Sequence, residues 1–95
     1  METLTKEKLQ NTVNKMIRIV RADTGGSEVY RDMLLSLLPN STYKVNISYW
    51  NYKADRDDFK TILELMIASN TDILWDYEEM IQPYKEELQN FQASE

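Results

Sequence analysis

The sequence predicts an all-α protein that forms a single compact domain over residues 1–95. One observation is that the chain has only two glycines, and they are adjacent at Gly25-Gly26. All-β domains need many tight turns, which usually contain glycine, so this scarcity favours helices. The other observation is that apolar residues recur at the spacing of one helical face along most of the chain. We therefore expect four or five helices around one core.

The first two helices are predicted from their apolar positions and from the turn between them. Residues 4–22 form an amphipathic helix whose opposite face is basic. In the segment that follows, we expect a glycine to take the left-handed position after the helix end and Ser27 to cap the next helix. That second helix ends at or before Pro39, because proline cannot continue the hydrogen-bond ladder.

Residues 43–52 allow two interpretations. The alternation of Tyr43, Val45 and Ile47 with polar residues is typical of a strand. A single strand would have no partner in a helical chain, and unpaired backbone groups are costly. We therefore favour a short extended piece over residues 43–46, followed by one or two helical turns over residues 47–52 with Asn46 as the N-cap.

The C-terminal half completes the bundle. Asp55, Asp57 and Asp58 fall in the first turn of a third helix, where the helix dipole favours carboxylates. A fourth helix begins after residues 70–72, and Pro83 either kinks it or begins a further helix. The predicted core residues are Val13, Ile17, Val20, Met33, Leu34, Leu37, Phe59, Ile62, Leu63, Met66, Leu74, Tyr77 and Ile81.

The composition excludes several classes of chemistry. The 95 residues carry a net charge of −5 and are 42% hydrophobic, which fits a small acidic globular domain. Because cysteine and histidine are both absent, we exclude disulfides, zinc ribbons and thiol catalysis, and we expect neither a metal nor a cofactor. The mean hydropathy of −0.57 and the polar first ten residues indicate no membrane partner and a cytoplasmic location.

The triplet Asp23-Thr24-Gly25 has the catalytic sequence of aspartic proteases. That fold is built of β-strands and has a glycine-rich flap, whereas this chain has no glycine after Gly26. We interpret the triplet as a junction between helices, so an enzyme that relies on Asp23 is the least favoured function. The acidic residues that follow Ala54 lack the order of a calcium loop and are interpreted as a solvated helix N-terminus.

Charge is distributed unevenly, with basic residues in excess over residues 1–22 and acidic residues in excess over residues 53–95. The basic face of the first helix has two interpretations: it contacts nucleic acid, or it is solvated or docked on the acidic C-terminal helices. The sequence pI near 4.7 favours the second, because an acidic protein repels phosphate at long range. The acidic face is either a solvated surface or a site for a basic partner.

An aromatic patch and the acidic face are the predicted partner-binding surfaces. Large aromatic residues are enriched in protein interfaces, but in a small domain they also fill the core. The candidate partner-binding residues are Tyr49, Trp50, Tyr52, Asp76 and Glu79. A homodimer is also expected, because Leu88 and Phe91 extend an apolar stripe beyond what one small core covers.

Two strings within residues 20–69, RADTGGSEVYRDMLLSLL and YKVNISYWNYKADRDDFKTILELMI, resemble a family of small uncharacterised domains from phages, plasmids and mobile regions of bacterial genomes. The shared pattern is a D-T-G-x-S turn, an apolar helix, a tryptophan-containing stretch and a helix with an acidic start. The resemblance implies a helical fold and a mobile-element origin, but no activity and no site residues. We therefore predict a non-enzymatic interaction module, an accessory or host-modulating protein of a mobile element. A nucleic-acid-associated regulator is the alternative.

Overall fold

All regular secondary structure in the described ranges is helical, and loops connect the helices. The computed structural model describes residues 4–23, 25–39, 41–67 and 71–92. In chain order these residues form α1 (Lys6–Ala22), α2 (Ser27–Ser36), α3 (Ile47–Lys53), α4 (Arg56–Ile67), α5 (Thr71–Ile81) and α6 (Lys85–Asn90), with a 3-10 turn at Gln82–Tyr84. Because α5, the turn and α6 follow one another without a gap, they form one continuous helical segment with Pro83 in its 3-10 turn. The predicted all-α fold with four or five helices is confirmed.

Helix α1 lies at the centre of the packing, since α2, α4 and α5 all pack against it. Thr5 caps its N-terminus by accepting a hydrogen bond from the Lys8 backbone N–H at 3.1 Å. The radius of gyration is 12.5 Å, close to the value of about 12 Å expected for one globule of this length. None of the helices that the structure describes combines the length and the apolar character needed to cross a bilayer.

The junction between α1 and α2 forms at the predicted place but by different residues. Asp23 takes the left-handed conformation, with φ 52° and ψ 53°, and its backbone N–H donates to the Val20 carbonyl at 3.1 Å. The expectation that a glycine takes this position is wrong, because a short polar residue such as aspartate also tolerates it. The expected Ser27 cap is also wrong. Gly26 is the N-cap, and the Ser27 hydroxyl instead donates to the Ile19 carbonyl at 2.7 Å.

The segment before α3 follows the interpretation that we favoured. Residues 41–46 are neither helix nor strand, and they lead directly into α3. The Asn46 side-chain oxygen accepts a hydrogen bond from the Tyr49 backbone N–H at 3.1 Å, so Asn46 is the N-cap. The preceding helix α2 ends at Ser36, which agrees with the predicted end at or before Pro39.

Helix α4 turns a different face to the core than the one predicted. Asp58, Thr61, Ile62 and Leu65 are buried, with at most 2% of each residue exposed. The prediction of a solvated helix N-terminus is therefore wrong for Asp58, because this carboxylate is enclosed by α1 and α2. The centre of this buried face lies about 100° around the helix axis, or about one residue, from the face that the predicted core residues Phe59, Ile62, Leu63 and Met66 define.

The predicted core positions Leu63, Met66 and Leu74 are wrong, since they are 45%, 40% and 41% exposed. Leu37 and Phe59 are half-buried and pack against the edge of the core. Two polar contacts explain why the Asp58 side of α4 faces the core in place of the predicted side. The Asp58 carboxylate accepts a hydrogen bond from the Tyr30 hydroxyl at 3.1 Å, and it lies 3.4 Å from the Lys15 ammonium. Both contacts turn the Asp58 face of α4 towards α1 and α2.

Candidate protein-interaction surface

Trp50, a predicted partner-binding residue, lies in the core. It is 1% exposed, and its ring packs edge-on against Tyr30 with centroids 4.7 Å apart. Helix α3 packs against both α2 and α4, which encloses the inner side of this short helix. The placement of Trp50 in an interface is therefore corrected, because a ring enclosed by neighbouring helices is not available to a partner.

Tyr49 and Tyr52 do lie on the surface, with 45% and 79% of each residue exposed. Successive helical residues point about 100° apart, which is why Trp50 faces inward between neighbours that do not. The Lys53 ammonium lies 5.8 Å from the centroid of the Tyr49 ring and 5.5 Å from that of Tyr52. These cation–π contacts hold the two rings and the charge together as one exposed cluster at the end of α3.

The two predicted acidic residues of α5 differ in their surroundings. Asp76 forms an ion pair with Lys6 of α1 at 3.8 Å, and its side chain is 29% exposed. Glu79 is exposed and forms no ion pair with any residue in the described ranges. Of these two, Glu79 is thus the carboxylate that is available to an external partner.

Part of the basic face of α1 is docked on the acidic C-terminal half, whereas Lys8 and Arg18 on the same helix are exposed. Docked and solvated were the two arrangements predicted for a face that does not bind nucleic acid. The Lys15 ammonium lies 2.8 Å from the Asp55 carboxylate. Arg21 binds Glu87 of α6 through two nitrogens, at 2.7 and 2.9 Å. The hydrogen bond from Lys15 lowers the pKa of Asp55, and that from Arg21 lowers the pKa of Glu87. These pairs leave less of the basic face free for nucleic acid.

The apolar stripe expected to form a homodimer through Leu88 and Phe91 is covered by the chain itself. Leu88 is fully buried and Phe91 is half-buried against the core. The Arg31 guanidinium lies 5.7 Å from the Phe91 ring centroid and donates to the carbonyls of Leu88 and Phe91, at 3.4 and 3.0 Å. This basis for a dimer is therefore wrong, because α2 already occupies that side of α6.

A different set of apolar side chains is exposed, at the end of α4 and at the start of α5. It consists of five large side chains with 40–65% of each residue exposed. We call it the α4–α5 apolar surface, and its members are Leu63, Met66, Ile67, Leu74 and Trp75. Helical spacing had placed three of its members, Leu63, Met66 and Leu74, in the predicted core, and no role was predicted for Trp75.

A shallow apolar cleft adjoins this surface between α3 and α4. Ile47, Leu63 and Met66 are its exposed members, and Trp50 and Ile62 are buried beneath them. Its volume of about 20 Å³ has room for about one water molecule. Drug-sized ligands occupy far larger pockets, of roughly 300–1,000 Å³. The cleft is therefore too small to hold a drug-sized ligand.

Comparisons of the chain with protein-family models, with curated proteins and with solved structures gave no match. The resemblance of residues 20–69 to mobile-element domains stays a prediction. Within the described ranges, no group of three or more acidic side chains is arranged to hold a metal ion. Function is therefore inferred from the surface geometry of this chain alone.

Proposed function

We propose that this protein is a non-enzymatic protein-interaction module that binds its partner through the α4–α5 apolar surface. The observation that supports this is the exposure of five large apolar side chains, up to 65% for Trp75. A large side chain presents about 200 Å² when fully exposed, so the five present on the order of 500 Å². Contiguous apolar patches of about 300–600 Å² are often functional on monomers. In this proposal the exposed residues of α4 and α5 act together as one such patch.

The charged residues around this surface resemble the rim of a protein interface, where polar residues surround an apolar centre. Arg56 and Lys60 are exposed on α4 before the apolar residues, and Glu79 is exposed on α5 after them. The Tyr49–Tyr52–Lys53 cluster lies on α3, which packs against α4. In this proposal Tyr49, Tyr52 and Glu79 remain partner-binding residues. Trp50 is buried and packs beside the exposed side chains without contacting the partner.

A role as an accessory or host-modulating protein of a mobile element is compatible with such a module. Its support is the resemblance of residues 20–69 and nothing in the geometry adds to it. An interaction module of this kind needs no catalytic residue, so Asp23 has only its structural role at the end of α1 in this proposal.

The test compares the proteins that cross-link to the wild-type chain in a native lysate with those that cross-link to the double variant Leu63→Glu/Ile67→Glu. Two carboxylates at the centre of an apolar contact carry a large desolvation cost, so we expect the variant to capture none of the proteins that cross-link to the wild type. The control is Lys8→Glu/Arg18→Glu, which also places two glutamates on exposed positions of a helix and changes the net charge even more.

Circular dichroism and urea titration must show that all three proteins fold equally well. Loss of the cross-linked proteins in the α4 variant alone supports the proposal. Equal capture by the α4 variant and the wild type would contradict it, because the surface would then contribute nothing to binding.

A further inference from the structure

The outward stripe of α4 changes character along its length. Arg56, Lys60, Leu63 and Ile67 follow one another at intervals of three or four residues, so they lie on one face of the helix. All four are exposed. The first half of this stripe is therefore basic and the second half is apolar.

The outward stripe of α5 has the opposite order and the opposite charge. Leu74 and Trp75 lie near its N-terminal end and are 41% and 65% exposed. Glu78 and Glu79 follow Trp75 by three and four residues and lie on the same side of the helix. Glu79 is exposed and Glu78 is half-buried. This stripe is thus apolar first and acidic second.

Within one chain, the two stripes neither cover each other's apolar residues nor pair each other's charges. Ile67 of α4 is 59% exposed even though α4 and α5 are neighbours in sequence. None of Arg56, Lys60, Glu78 and Glu79 forms an ion pair with another residue in the part of the chain that the structure describes. Each stripe therefore remains open to a complementary surface from outside.

We infer that the partner of the α4–α5 apolar surface is a second copy of this chain, with α4 of each copy packed antiparallel on α5 of the other. This inference rests on the proposed function and names its partner. Only the antiparallel direction brings the apolar halves together while Arg56 and Lys60 face Glu78 and Glu79 of the other copy. A two-fold axis then repeats the contact, as in most homodimers.

The area and the charge both fit a second copy. The apolar residues contribute on the order of 500 Å² per copy, and the charged ends extend this towards the ~800 Å² per partner of a stable interface. Two chains of net charge −5 repel each other at long range, so association needs local charge complementarity. The basic half of α4 against the acidic half of α5 provides this at both ends of the contact.

Sedimentation equilibrium of variants with reversed charges tests whether α4 of one copy packs on α5 of the other. Variant one is Arg56→Glu/Lys60→Glu, which makes both stripes acidic. Variant two is Glu78→Lys/Glu79→Lys, which makes both stripes basic. We expect wild type to be dimeric at about 100 µM, and each variant alone to dimerise at least about tenfold more weakly. An equimolar mixture of the variants should restore a dimer, because each acidic stripe then meets a basic one.

Lys8→Glu/Arg18→Glu serves again as the control and should dimerise like wild type. A monomeric wild type at this concentration would overturn the inference, and so would a mixture no more dimeric than its components. The two proposals fail separately. If wild type is monomeric but Leu63→Glu/Ile67→Glu still loses captured proteins, only the self-pairing is wrong. If capture is also unchanged, the proposed function is wrong as well.

Discussion

Tyr30 connects three helices through one side chain. Its hydroxyl donates to the Asp58 carboxylate and accepts from the Asp55 backbone N–H, both at 3.1 Å, while its ring packs on Trp50. A buried carboxylate needs hydrogen-bond partners to offset its loss of water, and Asp58 has 2% of its surface exposed. Burial raises the pKa of Tyr30 above its ordinary value, so the hydroxyl remains a donor. Tyr30 thus helps to hold α4 with its Asp58 side facing the core.

We expect Tyr30→Phe to lower the free energy of unfolding by about 1–3 kcal/mol, because it leaves Asp58 with one partner fewer. Urea denaturation followed by circular dichroism measures this change. The matched control is Tyr52→Phe, which removes the same hydroxyl from a residue that is 79% exposed and should change stability little. Equal midpoints for the two variants would show that the buried hydroxyl does not support Asp58.

The ion pair of Glu87 with Arg21 predicts a dependence of stability on pH. Arg21 lowers the pKa of Glu87 below its ordinary value of 4.5. A carboxyl group whose pKa is lower in the folded state stabilises it above the unfolded pKa, and this contribution is lost as the pH falls through the folded pKa. The stabilisation by Glu87 is therefore complete near neutral pH and disappears in acid.

We expect Glu87→Gln to be slightly less stable than wild type near pH 7 and to approach wild type as the pH falls well below 4.5. The difference is small, because both side chains are about half exposed and solvent screens the pair. Urea titrations over this pH range measure it, with Glu86→Gln, an exposed neighbour, as the control. A difference that grows in acid would contradict the assignment.

Helix α4 shows where prediction from the sequence reaches its limit. Its existence, its acidic start and its amphipathic character follow from local signals, as does the Asn46 cap of α3. The choice of which side is buried does not, because apolar residues occupy both sides, with Ile62 and Leu65 on one and Leu63 and Met66 on the other. Contacts of Asp58 with Lys15 and Tyr30, which are distant in sequence, decide between them. For this reason Leu63 and Met66, two of the α4 members of the α4–α5 apolar surface, were assigned to the core.

Adjacent residues of α4 provide a direct test of which side is buried. Leu65→Ala should cost about 2–5 kcal/mol, because it removes a fully buried side chain and leaves a cavity. Met66→Ala should cost much less, since Met66 is 40% exposed. Urea denaturation of the two variants measures both values. If Met66→Ala were the more damaging change, the face predicted from the apolar stripe would be the buried one.

At the scale of the whole molecule, the uneven charge of the sequence becomes a set of contacts between the two ends of the chain. Lys6, Lys15 and Arg21 of α1 pair with carboxylates on or beside α5, α4 and α6, respectively. The sequence indicated two oppositely charged regions but did not specify that they meet, because sequence separation does not determine spatial distance. The net charge that remains visible to a distant partner is negative.

This arrangement predicts weak binding to nucleic acid at most. Duplex DNA repels a chain of net charge −5, and the paired residues of α1 are partly neutralised. Fluorescence anisotropy of a labelled duplex should show no saturable binding at low salt. Binding that weakens steeply with added salt, and that disappears in Lys15→Ala/Arg18→Ala/Arg21→Ala, would instead favour the nucleic-acid regulator.

The two tryptophans occupy opposite environments, and this has a spectroscopic consequence. Trp50 is 1% exposed beneath α3, whereas Trp75 is 65% exposed on the α4–α5 apolar surface. The emission of Trp50 should thus be blue-shifted and insensitive to acrylamide, and that of Trp75 red-shifted and readily quenched. Replacing one indole at a time with phenylalanine isolates each signal. Unfolding and partner engagement then become separate optical readouts within a single unlabelled chain.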